Sequence, residues 1–252
     1  MTLAISAAEW CYWRDGQDES LYYATMAAMG AGAVEMTPPA RWPAAREAGL
    51  AILNMAGPGM QKGLNRQENH ADLVPQIESL IRTAGDEGIA HVIVFSGNRD
   101  GQDDAAGRAN CAKALDRLLG AAQAAGVTLV FEMLNSFDHA DYQADLGRYG
   151  FELVRGLNSP NLRVLYDVYH LARMGEDVLA DALENLDLIA HIHIADIPGR
   201  TLPGVDAKID YATFVRRLHA AGYRGYWGME FCPRTQPLSE LAAAVEMFQS
   251  FI

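Results

Sequence analysis

The sequence predicts an α/β fold in which eight parallel strands and their helices close as a single (β/α)8 barrel. Three observations carry this. Short β-rich runs alternate with longer Ala/Leu-rich runs along the whole chain. Several helical runs stop at a glycine just before the next strand, as at Gly88, Gly126 and Gly222. The strands are continuous apolar runs, as expected of a parallel sheet covered by helices. Eight units in 252 residues give about 31 residues each, the size of one strand-plus-helix repeat in such a barrel. An open doubly wound sheet is the runner-up. It would carry a GxGxxG turn after the first strand, and none is present.

The expected elements follow in order. Strand one is residues 3–6, and a helix over 20–31 runs to Gly30 and Gly32. Strand two is 33–36. Residues 38–49 are weak as a helix, so one short helical turn is expected there. Strand three is 50–55, followed by a polar loop, 56–68, and a helix with clear apolar periodicity over 69–87. Strand four is 91–96, and after loop 97–106 comes a helix over 107–125. Strand five is 127–133, with a helix over 141–157. Strand six is 162–166, with a helix over 177–186. Strand seven is 189–195, followed by the irregular stretch 196–210 and a helix over 211–221. Strand eight is 225–231, and the last helix is 238–248. No linker or low-complexity segment interrupts the pattern, so residues 1–252 are expected to form one domain.

Composition narrows the function. The net charge is −12, from 32 acidic and 20 basic residues, which disfavours nucleic acid and anionic membrane as partners. Small molecules are the expected ligands, and a homo-oligomer is compatible with the sequence. Cys11, Cys111 and Cys232 lie far apart, without a CxxC, which fits a reducing compartment. The start MTLAISAAEWCYW lacks the basic stretch and long apolar run of a signal peptide, and no run approaches the ~20 apolar residues of a membrane span. The expected location is the cytoplasm.

Four apolar segments each end in a potential metal ligand: VTLVFE at Glu132, LRVLYD at Asp167, AHIHIAD around His193 and GYWGME at Glu230. The gaps of 35, 26 and 37 residues are close to one barrel repeat each. Residues at equivalent strand ends would converge at one barrel mouth. One buried carboxylate is as readily an ion-pair partner for an arginine as a functional group. Three in matching positions would repel strongly, and a divalent cation is the simplest way to hold them. Two glutamates, an aspartate and a histidine suit Mn²⁺ or Mg²⁺, with Co²⁺ and Zn²⁺ as further candidates.

His193 alone would read as a packed core residue; the matching acids make it a ligand candidate. His191 points the same way, two residues deeper. His170, three residues past Asp167, is placed either to meet a substrate hydroxyl or to cap a helix. Arg200 in IPGRTLPG is either a solvated loop charge or a guanidinium over the mouth, and Asn135 and Asp138 in EMLNSFD share that ambiguity. Trp10, Tyr12, Trp13 and Phe95 are core or pocket wall.

The segments SGNR, FEMLNS, YDVYHLARMGED, HIHIADIPGR and IDYATFVRRLHAAGYRGYWGMEF, in this order, resemble the hydroxypyruvate isomerase family. That family belongs to the xylose-isomerase-like TIM barrels, with ketose 3-epimerases and 2-oxo-tetronate isomerases as relatives. The resemblance implies metal ligands at Glu132, Asp167, His193 and Glu230, with the two glutamates also serving as the acid/base pair. It implies substrate contacts from His170 and Arg200. Three features depart from the family pattern. His193 stands where many hydroxypyruvate isomerases have glutamine and ketose 3-epimerases have histidine. AGPGMQKGLN replaces a Gly-Asp-Trp loop, and Lys208 stands where glutamate is common.

The expected activity is a metal-dependent, hydroxypyruvate isomerase-like shift of a small hydroxy-carbonyl compound through a metal-stabilised enediolate. This is an intramolecular oxidoreduction of the aldose–ketose type, in carbohydrate metabolism. The alternative is a ketose 3-epimerase or a related isomerase or epimerase of sugars or sugar phosphates. A zinc-dependent phosphodiesterase of the endonuclease IV type would need more histidines and a basic face. A non-catalytic sugar-binding barrel would not need both glutamates.

Overall fold

The apolar runs become strands that pair in parallel with their neighbours. The computed structural model describes residues 2–252. Among them are strands β1 (Ile5–Ala8), β2 (Ala33–Glu35), β3 (Ala51–Ile52), β4 (Asn54–Ala56), β5 (His91–Phe95), β6 (Thr128–Glu132), β7 (Leu162–Asp167), β8 (Ile189–Ile194) and β9 (Trp227–Met229). The helices are α1 (Glu9–Tyr12), α2 (Glu19–Ala28), α3 (Trp42–Glu47), α4 (His70–Glu87), α5 (Asp104–Ala125), α6 (Gly147–Leu157), α7 (Val168–Arg173), α8 (Val178–Glu184), α9 (Tyr211–Ala220) and α10 (Pro237–Gln249). No helix among the described residues is long and apolar enough to cross a membrane. The chain divides into two units, Met1–Leu53 with His191–Ile252, and Asn54–Ala190.

In the first unit the strand order is β3-β2-β1-β9-β8, all parallel. Ser6 pairs with Ala33 and with Gly228, and Gly228 pairs with His193, so these positions form one row across the sheet. On α9, Tyr211, Phe214, Val215 and Leu218 are buried at i, i+3, i+4 and i+7, one apolar stripe. Its N-terminus is capped by Asp210, which accepts from the Thr213 amide at 3.0 Å. The stripe packs on Trp227, whose ring lies edge-on to Phe214 at 6.1 Å and to Tyr223 at 5.0 Å. Fully burying one such aromatic contributes about 1.5–3 kcal/mol.

In the second unit the order is β7-β6-β5-β4, again all parallel. Phe95 pairs with Glu132, and Glu132 with Leu165. Helices α4 and α5 end at Gly88 and Gly126, whose φ of 67° and 69° are left-handed, a conformation that glycine adopts without strain. Both caps match the sequence expectation. The start of α5 does not: the helix begins at Asp104, three residues before the expected 107, because Asp103 caps it there, accepting from Ala105 and Ala106 at 2.9 and 3.1 Å.

Several other elements differ from expectation, the first strand among them: expected at 3–6, it is Ile5–Ala8, with the unexpected α1 directly after it. The third strand, expected at 50–55, is two strands, because the chain changes partner at Leu53. Ala51 and Ile52 pair with β2, whereas Asn54 to Ala56 pair with β5. The helix expected from 141 begins at Gly147, since Asp141 has a φ of 62° and Tyr142 bridges Asn98. The last strand shortens to Trp227–Met229. Helix α7 was not expected; it starts directly on the end of β7, capped by Asp167. The weak stretch 38–49 is a 3₁₀ turn, Pro39–Arg41, followed by the six-residue α3.

Candidate active site

Each of the four strand-end residues is buried. In the second unit, Glu132 ends β6 and Asp167 ends β7, with 6% and no exposure respectively. Asp167 does two jobs at once. Its Oδ1 accepts the His170 amide at 3.1 Å, capping α7, and its Oδ2 lies 3.6 Å from His170 Nε2. His170 is itself oriented from the other side: its Nδ1 accepts from the Asn135 amide at 3.0 Å and lies 2.7 Å from Asn135 Nδ2. An acceptor Nδ1 leaves the proton on Nε2. Asn135 Nδ2 also donates to Asp138 at 3.0 Å, and the Tyr169 hydroxyl donates to the same oxygen at 2.5 Å. Burial works against ionisation of Asp138, but the bonds from Tyr169 and Asn135 outweigh it and hold the carboxyl below its ordinary range. The His170 amide completes the cap that Asp167 makes, while its ring is held by Asn135, which Asp138 anchors in turn.

In the first unit, His193 Nδ1 lies 2.6 Å from Glu230 Oε2. Glu230 Oε1 accepts from the Trp10 indole at 2.8 Å. Arg200 Nε donates to the Glu230 carbonyl at 2.9 Å, and its guanidinium also meets Glu230 Oε2. Arg200 is only 13% exposed, so it is not a solvated loop charge. Its backbone φ of 51° and the Asp196–Thr201 bridge turn the loop back over β9. Asp196 fastens that loop by accepting from the amides of Ile197, Gly204 and Lys208 at 2.9, 3.4 and 3.3 Å. Behind His193 lies Glu35, the end of β2. Its Oε2 is 2.9 Å from Nε2 of both His191 and His193, and its Oε1 accepts from Ser6 Oγ at 2.6 Å. Burial opposes its charge, but the facing histidines prevail, and the carboxyl sits well below its ordinary range.

The donor chemistry fits a hard divalent ion. Glu132, Asp167, His193 and Glu230 offer carboxylate oxygen and imidazole nitrogen and no sulfur. The His193–Glu230 approach is itself informative. A ring nitrogen and a carboxylate oxygen both offer lone pairs, so 2.6 Å between them requires a shared proton or another cation.

Glu35 was missed from sequence. Its signal was present, because AVE at 33–35 is a short apolar run ending in an acid, the same pattern as the other strand ends. The Trp10 hydrogen bond to Glu230 has no local signal, because it joins residues 220 positions apart.

The fold and these strand-end acids define a class, and the comparisons name it. The chain belongs to the xylose isomerase-like TIM barrel family, whose sequence profile matches residues 24–251. Its fold class is thus the α/β barrel that the sequence predicted. It is 32% identical over 200 residues to the 2-oxo-tetronate isomerase of Cupriavidus necator, covering 78% of this chain and 70% of that protein. It is 30% identical over 109 residues to the hydroxypyruvate isomerase of Escherichia coli, covering 43% of this chain and 42% of that one. The match thus spans less than half the length of the Escherichia coli protein. Among solved structures, the D-psicose 3-epimerase of Clostridium cellulolyticum H10, determined with D-tagatose, superposes with a TM-score of 0.81. The identity is 17%, and 100% of this chain and 99% of that one are covered, a likeness of fold.

Proposed function

We propose that the chain is a divalent-metal-dependent isomerase of a small hydroxy-carbonyl compound, working by proton transfer beside a carbonyl. The observation that carries this is the pair Glu132 and Glu230, buried carboxylates that each sit at the carboxyl end of a parallel strand in a barrel family. Glu132, Asp167, His193 and Glu230 would hold one Mn²⁺ or Mg²⁺. When bound, the ion supplies positive charge beside the carbonyl and adjacent hydroxyl oxygens, where an enediolate gathers its negative charge.

The protein's own residues do the rest. Glu132 takes a proton from the carbon next to the carbonyl, and Glu230 returns one to the neighbouring carbon, or the reverse. For hydroxypyruvate, C3 loses the proton, C2 gains one, and the hydroxyl proton passes from O3 to O2, giving tartronate semialdehyde. His170, with its proton on Nε2, donates to a substrate oxygen, and Asn135 and Asp138 fix its ring. Arg200 orients the Glu230 carboxylate and reaches the substrate's polar end. The whole chain would act as one domain, and its location would be cytoplasmic.

A second reading is C3 epimerisation of a ketose. The residue that favours it is His193, a histidine at the position where many hydroxypyruvate isomerases carry glutamine. The same two carboxylates, on opposite faces of a planar intermediate, serve either reaction.

The test has two parts. In the first, Asp167→Ala should lose both Mn²⁺ binding by calorimetry and activity; full metal content in that variant removes Asp167 from the ligand set. In the second, Glu132→Gln should lower kcat by roughly 10²–10⁴ and slow deuterium uptake from solvent at the carbon beside the carbonyl. Uptake at the wild-type rate sinks the base assignment. Hydroxypyruvate is the first substrate to assay and a ketose with a free C3 hydroxyl the second. Turnover of neither with Mn²⁺, Mg²⁺ or Co²⁺ removes both substrates.

A further inference from the structure

We propose that Glu35 is a positioning residue that fixes His193 as the Nε2–H tautomer and so leaves Nδ1 as its ligand atom. The inference rests on the reading of His193 as a metal ligand. It concerns only side chains of the first unit. A single carboxylate oxygen, Glu35 Oε2, stands 2.9 Å from Nε2 of both His191 and His193. A carboxylate only accepts, so both rings present N–H at Nε2. The other oxygen is taken by the Ser6 hydroxyl at 2.6 Å, which stops the carboxylate from turning. All four side chains are essentially buried, with 1% exposure at most. His193 therefore has Nε2 committed to Glu35, and its Nδ1, 2.6 Å from Glu230 and sharing a proton or a cation with it, is the ring atom left to ligate. Outer partners of this kind set the tautomer and orientation of ligating histidines.

The sheet around Glu35 is shaped for this reach. Glu35 stands on β2 and its histidines on β8, with β1 and β9 between them. The residues on the intervening strands are Ser6 and Gly228, paired in register with each other, and Gly228 is paired with His193. A Cβ at Gly228 would lie 2.5 Å from Glu35 Oε1, 2.8 Å from His193 Cδ2 and 2.9 Å from His191 Nε2. Two small residues thus clear the path along which the carboxylate crosses. A buried carboxylate is costly unless fully paired, and here every lone-pair direction used has a donor.

The three donor atoms of Glu35, His191 and His193 also lie close enough together to hold an ion themselves. The hydrogen-bonded arrangement accounts for the distances without one, and the test separates the two. Histidine-labelled wild-type protein is examined by two-bond ¹H–¹⁵N correlation, metal-free and with Mg²⁺, alongside Mn²⁺ titration by calorimetry. The expected spectrum has protonated Nε2 on both His191 and His193. Glu35→Gln should weaken Mn²⁺ binding about 10–100-fold and scatter the His193 tautomer signal, with the far-UV spectrum unchanged. His191→Gln keeps a donor toward Glu35 and should bind Mn²⁺ as the wild type does.

A bare Nε2 on His193 in the wild type overturns the proposal, and this result needs no variant to fold. Equal Mn²⁺ affinity in Glu35→Gln also overturns it, as does an equal loss in His191→Gln, which would mark a general packing role. A second tight equivalent of Mn²⁺, lost in Glu35→Gln, would replace the positioning role with an ion site. A wild type that binds no divalent ion defeats the ligand reading instead, and the metal-free spectrum still decides what Glu35 does.

Discussion

Gly228→Ala isolates the space that the Glu35 network needs. The glycine lies within β9, and its φ is not in the left-handed region, so alanine meets no backbone obstacle. On backbone entropy alone, alanine in a strand should stabilise by about 0.5–1 kcal/mol. The clash reverses that sign. The added methyl would meet Glu35, His193 and His191 at 2.5, 2.8 and 2.9 Å, all inside van der Waals contact. None of the three is a loose side-chain end, because each is buried and hydrogen-bonded. Overpacking of this kind costs about 1–3 kcal/mol, and displacing one ring N–H from the carboxylate adds about 1.5–3. Urea unfolding should therefore show a loss of at least about 1 kcal/mol, with weaker Mn²⁺ binding because His193 is pushed. Gly120→Ala is the control. That glycine is in α5 with nothing within 4 Å of its built Cβ, and alanine there should stabilise by about 0.5–1 kcal/mol. If Gly228→Ala is neutral or stabilising, the network is not held as tightly as argued.

Three further outcomes are expected. Burial pushes the Cys111 thiol up to about 12 and raises Cys11, which also faces Glu230, well above its ordinary value. A thiol reagent at mild alkaline pH should therefore label Cys232 quickly and the other two only after unfolding, and rapid reaction of two thiols would contradict the burial. Asp103→Ala should cost about 1 kcal/mol, since it removes the cap from both leading amides of α5, and thermal melting would read this as a drop of roughly 2–4 °C. Asp138 has its folded pKa depressed, so its contribution is present at neutral pH and fades as pH falls through and below the ordinary carboxylate range. Tyr169→Phe removes one of the bonds responsible, and its acid-induced change in near-UV dichroism should begin at a higher pH than the wild type's; coincident curves would refute the assignment.

The site was more legible in the sequence than the connections that hold it. Glu132, Asp167, His193 and Glu230 could be read because an apolar strand ending in an acid or imidazole is a local pattern. Gly88 and Gly126 were equally local, and both are left-handed caps as expected. Glu35 carried the same local signal, but the two rings it meets are more than 150 positions away, and no periodicity encodes which carboxylate meets which ring. Arg200 was identified as a candidate, yet its union with Glu230, 30 positions on, depends on a loop turned by Asp196 and a positive φ. The break at Leu53 was hidden because no glycine or proline marks it within the run 50–55, and only the change of pairing partner separates the halves. Helix α7 was hidden for a related reason: its cap, Asp167, belongs to the preceding strand.

Trp10 gives the protein an optical gauge of its own. The indole is 51% exposed, its N–H donates to Glu230 Oε1 at 2.8 Å, and the Arg200 guanidinium lies 5.8 Å from its ring centre. An excited indole shifts its emission with the charge at its nitrogen edge and over its face. Any event that alters the charge on Glu230 or moves Arg200 should therefore change the colour or yield of this one tryptophan. The other three, Trp13, Trp42 and Trp227, have no hydrogen bond to that carboxylate among the described residues and provide the background. The chain thus carries a label-free reporter within hydrogen-bonding distance of a candidate catalytic group, and ligand arrival could be timed in a stopped-flow cuvette without any substrate chromophore.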